Sequence, residues 1–252
     1  MIHYERRGPA ALVTIDRPER HNAVDGDTAA ALLGAFERFC GEDDAHVLVL
    51  TGAGEKAFCA GADLKAIETF APRLHDPGGP LGFTRRIPAK PAIAAIEGWC
   101  LAGGLELALW CDLRIATETS TLGFPERRFG VPLFDGGTQR LPRIVGLGRA
   151  LDLILTGRFA DAAEALALGL LTEVVAPGAH LERALEIAEG LASFPQETML
   201  ADRSAAIEGF GLSLEEGLAL EARSGAETLE IAVEGAQRFA GGEGRGGAGA
   251  GV

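Results

Sequence analysis

No apolar run in this 252-residue chain approaches the ~20 residues needed to cross a bilayer, and that lack excludes a helical membrane protein. The N-terminal MIHYERRGP has none of the apolar character of a signal segment, so a cytoplasmic location is the expectation. Cysteine is scarce: Cys40, Cys59, Cys100 and Cys111 form no C-x-x-C pair and do not group with the five histidines. A zinc-type site or disulfide framework is therefore not expected, and the four read as reduced, buried thiols. Basic residues are also in short supply, 23 against 36 acidic ones for a net charge of −13. An acidic surface argues against broad nucleic-acid binding, which needs clustered Lys and Arg. It does not exclude a small polyanionic ligand held in a local basic pocket.

What is present fits one core, because 252 residues with 47% hydrophobic content can bury a full interior without splitting into independent parts. Residues 11–15 (ALVTI) predict a strand that ends in the turn-like Asp16-Arg17-Pro18. Asp25 or Asp27 can cap a helix running to about Cys40. The unbroken apolar runs 46–51 and 91–96 predict buried strands, and 113–117 another. Between the first two lies GAGEKAFCAGADL, read as a small-residue loop leading to a helical stretch from Leu64. Strand, small-residue loop and helix recur, which predicts an α/β architecture. From Gly137 onward helices follow one another, interrupted by a strand-like stretch at 172–176. The boundaries read from the sequence are a core over 1–195, a helical region over 196–240 and a Gly-rich tail over 241–252 that carries no fold signal.

The stretch GWCLAGGLELALWCD, residues 98–112, holds the strongest chemical signal. From Gly104 the helix is apolar on nearly every face, and such a helix is usually buried; it carries one carboxylate, Glu106. An unpaired buried carboxylate costs several kcal/mol, on the order of an ion's desolvation. It can be a core acid paired with Arg114 or Arg140, or a functional group. Gly103 and Gly104 stand where the helix begins, so unbonded N–H groups can face a ligand there. Glu126 follows twenty residues later in Gly123-Phe124-Pro125-Glu126, where it reads equally as the first turn of an exposed helix. In the loop Phe58-Cys59-Ala60-Gly61-Ala62-Asp63-Leu64, small residues permit close backbone approach, and Asp63 can be an N-cap.

Taken in order, Arg17-Pro18 with Asn22-Ala23, Lys56-Ala57-Phe58 leading into Ala60-Gly61-Ala62-Asp63-Leu64, the run 98–106, Pro125-Glu126 and Gly136-Gly137-Thr138-Gln139-Arg140-Leu141-Pro142 resemble the crotonase superfamily, also called the enoyl-CoA hydratase/isomerase family. The likeness covers nearly everything from Arg17 to about Phe239. It implies a spiral of ββα turns followed by a helical trimerisation region, assembled as a homotrimer or as a homohexamer built from two trimers. It also implies an acyl-CoA thioester ligand whose oxygen is held by two backbone N–H groups, here assigned to Ala60 and Gly103. Such pre-aimed donors stabilise an enolate oxygen without reorganisation.

Both hydratase glutamates are matched, by Glu106 and Glu126. The resemblance implies that Glu106 activates a water for attack at C3 and that Glu126 shares it and supplies the C2 proton. No metal, flavin or nicotinamide cofactor is expected. For the ligand it points to Ala23, Ala60, Ala62, Asp63, Leu64 and Gly104. Lys56 is either a neighbour of a phosphate or a solvated surface lysine; Trp99, Phe83, Leu133 and Phe134 can bound the acyl chain, although Trp99 and Phe83 read equally as core aromatics. Two departures stand out. The loop after Glu126 reads Pro132-Leu133-Phe134-Asp135-Gly136-Gly137, one residue longer than in many hydratases and carrying a third acid. Asp135 is similarly placed to an aspartate of dienoyl-CoA isomerases, so a double-bond isomerase is the alternative, while a bland Asp135 would cap the helix near Thr138. The C-terminal end offers only Arg238 and Arg245 where some relatives use a lysine. A non-catalytic RNA- or acyl-CoA-binding protein is the remote third reading, disfavoured by the acidic balance.

Overall fold

The computed structural model describes residues 1–242. The first of two compact units runs from Met1 to Ala188, and the second begins at Glu189. The first therefore closes inside a helix, short of the expected boundary at 195. Of the expected Gly-rich tail at 241–252, residues 243–252 lie outside the described residues.

Strands β1 (Ile2–Arg7), β2 (Ala10–Ile15), β3 (Val47–Gly52), β4 (Ala57–Cys59), β5 (Ala92–Ile96), β6 (Trp99–Leu101), β7 (Leu113–Thr117), β8 (Thr121–Gly123), β9 (Phe159–Asp161) and β10 (Glu173–Val175) form two sheets. One has the order β1-β2-β3-β5-β7-β10 and the other β4-β6-β8-β9. The pairs β3/β4, β5/β6 and β7/β8 each pass from the larger sheet to the smaller, and corresponding strands of successive pairs run parallel. The chain thus winds as the expected spiral. β3 and β5 read as continuous apolar runs because both faces of a central parallel strand are covered. Edge strand β1 instead alternates between half-buried and exposed residues, a period the sequence reading passed over.

Helices α1 (Gly26–Gly41), α2 (Ile67–Phe70), α3 (Gly103–Trp110), α4 (Gly137–Val145), α5 (Leu147–Thr156), α6 (Ala162–Ala167) and α7 (His180–Ser193) alternate with or follow the strands. Of its two candidate caps, α1 uses Asp25, whose carboxylate accepts from the Thr28 amide at 2.9 Å. Its inward face places Leu32, Ala35, Phe36 and Phe39 in the core. α3 buries every residue from Gly104 to Trp110, as expected of a helix apolar all round.

In the second unit α8 (Gln196–Gly209), α9 (Leu214–Glu227) and α10 (Leu229–Ala240) bury no side chain fully. α9 opens with a reciprocal Ser213–Glu216 capping box.

Candidate active site

α3 begins at a strained residue. Ala102 has φ 51° and ψ −126°, a region an L side chain rarely occupies. This bend turns β6 directly into the helix and leaves the first α3 amides without partners from the preceding turn. An alanine at positive φ costs about 1–2 kcal/mol, partly offset in a glycine by its greater entropy in the unfolded chain. Ala102→Gly is therefore expected to raise the melting temperature by about 1–3 °C and keep activity within about twofold; a lower melting temperature would show that the bend is not under strain.

A cavity of about 110 Å³ opens at this end of α3, bordered by Ala60, Ala62, Leu64, Gly103, Glu106, Glu126, Phe134 and Asp135 among others. With Leu133, which also borders it, nine residues singled out in separate stretches of sequence thus meet at one place. Glu106 is 3% exposed, and neither candidate arginine bonds to it. Arg114 donates to the carbonyls of Leu170 and Cys111, and Arg140 to those of Asp135 and Thr84. Instead Glu106 Oε1 accepts two backbone amides, from Asp135 at 2.9 Å and from Gly137 at 2.7 Å. Burial above all, and next the Asp135 charge, push the Glu106 carboxyl up to about 8 against the pull of those two amides; Glu126 adds a smaller upward push.

Glu126 sits in a 3-10 turn over Pro125–Phe129, with Pro125 in the first turn as the sequence suggests. It is not the exposed acid of a surface helix. It is 6% exposed, and both its carboxyl oxygens are buried without a hydrogen-bond partner among the described residues. Burial raises its proton affinity. An unpartnered buried carboxyl is costly, and here it lies on the wall of a cavity where a bound water or ligand can satisfy it.

The expected oxyanion donors need one correction. The Ala60 N–H is engaged, donating to the His21 carbonyl at 3.0 Å. Ala62, two residues on, forms an isolated parallel bridge with Val24. The bridge bonds come from its neighbours, Val24 N–H to Gly61 O and Asp63 N–H to Val24 O, both 2.8 Å. The N–H of Ala62 itself is thereby turned away from Val24. Neither it nor the Gly103 N–H has an acceptor among the described residues. The two are neighbours: a Cβ on Gly103 would lie 3.6 Å from the Ala62 nitrogen, and one on Gly61, whose φ is +90°, would lie 2.7 Å from the Gly103 nitrogen. Glycine at 61 thus keeps the approach to the pair open.

Other expectations are displaced from the cavity. Asp63 is the cap it could have been, accepting from Lys65 N–H at 3.1 Å and pairing with Arg17 at 3.3 Å. Ala23 gives its carbonyl to Arg17. Lys56 lies instead on a separate depression with Pro18, Glu19 and Asn22. Gly104 packs against Cys59. Phe83 stacks on Phe36 at 5.3 Å and meets Trp110 edge-on at 4.5 Å, so it is core. Trp99 is 40% exposed and meets Phe159. Asp135 does not cap α4, whose N-cap is Gly136; its Oδ1 accepts from the Leu81 amide at 3.0 Å and from the Thr84 hydroxyl. Phe70, Leu81, Phe129 and Val131 also line the wall. The sequence reading missed them because they carry no chemistry and are recruited only by the fold.

Known proteins resemble this chain along most of its length. The model of the enoyl-CoA hydratase/isomerase family matches residues 5–243. A probable enoyl-CoA hydratase of Rhizobium meliloti (strain 1021) is 43% identical over 223 residues, 87% of this chain and 86% of that protein. The short-chain-enoyl-CoA hydratase of Clostridium acetobutylicum is 37% identical, covering 87% and 86%. The crystal structure of enoyl-CoA hydratase EchA1 from Mycobacterium marinum superposes with a TM-score of 0.89 at 38% identity over 95% of each chain. A two-sheet spiral with a buried glutamate at the head of its central helix, matched along nearly its whole length, places the chain in the enoyl-CoA hydratase/isomerase family.

Proposed function

We propose that this protein is an enoyl-CoA hydratase that adds water across the C2–C3 double bond of a 2-enoyl-CoA thioester to give the 3-hydroxyacyl thioester. The observation that carries the reading is Glu126: both its oxygens are buried and unpartnered, on the wall of the cavity that Glu106 also enters. In this reading the thioester oxygen accepts hydrogen bonds from the Ala62 and Gly103 amides, which take up the negative charge that develops on it. Glu106, oriented through Oε1 by two amides, removes a proton from water as its oxygen bonds to C3. Glu126 gives its proton to C2, and solvent exchange afterwards returns a proton from Glu106 to Glu126. Acids whose proton affinity is raised toward neutrality suit both tasks. No cofactor or metal takes part in this scheme.

The supported partner is the acyl-CoA substrate, as the family and the relatives' names suggest. We assign self-association, as a trimer or hexamer, to the second unit, where Phe210, Leu212, Leu214 and Leu218 are exposed around a groove of about 730 Å³. Among the described residues no helix is long and apolar enough to cross a membrane, and a cytoplasmic location is proposed with the enzyme.

Incubation with crotonyl-CoA is expected to bleach the enoyl-thioester absorbance and yield 3-hydroxybutyryl-CoA. Asp135, a third acid on the same wall, favours one competing reading, a double-bond isomerase. Exchange of the acidic C–H hydrogens with solvent deuterium, without any hydrated product, would establish that reading instead.

A further inference from the structure

We propose that Asp135 is a positioning residue for Glu106, acting on hydration through that side chain and not on the acyl group: its amide fixes one Glu106 oxygen, and its pinned carboxylate opposes the charge Glu106 must carry. This rests on the hydratase reading for its consequence in catalysis, but the coupling between the two acids can be measured without it.

Asp135 is tied at three points. Its amide donates to Glu106 Oε1 at 2.9 Å, its carbonyl accepts from Arg140 at 2.8 Å, and its Oδ1 accepts from the Leu81 amide at 3.0 Å and the Thr84 hydroxyl. Arg140 also holds the Thr84 carbonyl, so the 81–84 segment and the turn into α4 are clasped around one aspartate. At 2% exposure that carboxyl is as enclosed as Glu106. A side chain fastened in this way cannot swing aside to relieve its repulsion of a neighbour. Burial raises the proton affinity of the Asp135 carboxyl overall, and the two donors on Oδ1 oppose that rise by favouring its charged form.

The charged groups that face the pair are Glu126 on the same cavity wall, and Arg140 and Arg85 behind Asp135. Arg140 bonds to the carbonyls of Asp135 and Thr84 and Arg85 to those of Leu74, Asp76 and Phe134, so neither makes a direct ion pair; Arg85 favours the ionised aspartate from a distance, while the Arg140 charge acts on Glu106 as well as on Asp135. Glu106 Oε1, like Asp135 Oδ1, has two neutral donors, but Glu106 also meets the charge of Glu126. When one proton must be held by this group of acids, the arrangement directs it away from Asp135 and toward Glu106. Deprotonating Glu106 then requires a higher pH than a two-acid site would.

The test is Asp135→Asn, whose amide oxygen still accepts from Leu81 and Thr84 and so keeps the clasp while removing the charge. The rate of crotonyl-CoA hydration should rise with pH through the ionisation of Glu106, and in the variant that limb should move to lower pH. A displacement of one pH unit makes the variant about tenfold more active, relative to its own plateau, at any pH well below the limb. A merely structural role predicts superimposed profiles for this conservative change, with loss only in Asp135→Ala.

The second readout needs no turnover. The carboxyl band of Glu106, isolated as the infrared difference between the protein and its Glu106→Gln variant, should titrate at lower pH in the Asp135→Asn background. Coincident infrared titrations in the two backgrounds would overturn the proposal. If the wild-type protein failed to hydrate crotonyl-CoA, the proposed function would fall while the infrared titration still decided the coupling.

Discussion

Glu126→Gln is expected to lower kcat for crotonyl-CoA hydration by about 10²–10⁴-fold, the range typical of a lost general acid, while the protein folds and binds coenzyme A as before. The expectation of intact folding follows from what Glu126 does not do. Among the described residues its oxygens have no hydrogen-bond partner, so an amide in its place deprives no donor of a partner. Arg127 acts on Glu126 only from a distance, so removal of this buried ionisable group is as apt to stabilise as to destabilise, and a change in stability within about 1 kcal/mol is expected.

Glu106→Gln should cost a similar factor for a complementary reason. The glutamine oxygen can still accept the amides of Asp135 and Gly137, so the side chain stays in place and only the capacity to take up a proton is lost. Because the two acids act on one water, the double variant should lose little more than the worse single one. Steady-state kcat and KM together with thermal melts check all three proteins. Near-full kcat in either single variant would remove the two-acid mechanism.

The sequence reveals the parts of this site that are chemically distinctive. Glu106 stands out because one carboxylate interrupts a helix with no polar face, and Gly103 because a glycine pair opens that helix; both lie on the cavity. The strands of the larger sheet are legible for the same reason, since β3 and β5 are unbroken apolar runs. The smaller sheet is not. β4 is three residues long, embedded in a Gly- and Ala-rich stretch that reads as a loop, and it becomes a strand only through its pairing with β6.

The choice between Ala60 and Ala62 was equally out of reach. Both are alanines in one small-residue motif, and what separates them is that His21 takes one amide while the Val24 bridge turns the other free. Residues 69–87 show no motif, yet Phe70 and Leu81 bound the cavity and Thr84 holds Asp135. Contacts between segments some fifty residues apart leave no local trace. A sequence pattern records periodicity and unusual composition, and a hydrogen bond between two ordinary loops has neither.

Gly104→Ala is expected to damage both stability and activity, and it tests the link between the packing of α3 and the geometry at its head. An added Cβ would overlap the Cys59 carbonyl oxygen outright and lie 2.7 Å from the Cys59 carbonyl carbon. Those are backbone atoms of β4, which cannot rotate away as the end of a side chain can. α3 must then lift from β4, carrying Gly103 and Glu106 with it. Overpacking a filled core costs about 1–3 kcal/mol and occasionally more. A clash with fixed backbone belongs at the upper end, which in a chain of this size means a melting temperature lower by roughly 6–12 °C.

A shift of about 1 Å in groups that must meet the substrate is worth on the order of 10²-fold in rate, so the folded fraction should also be at least that much slower. The neighbouring Gly103→Ala supplies the contrast. There the nearest atom to a new Cβ is Leu81 Cδ1 at 3.0 Å, the mobile end of a side chain, and alanine favours the helix by about 1 kcal/mol over glycine. Melting temperatures measured on the pair should separate widely, with Gly103→Ala close to the parent in stability. Equal and small losses of stability in both would show that α3 does not sit hard against β4, and that the position of Glu106 is set instead by the Asp135 and Gly137 amides alone.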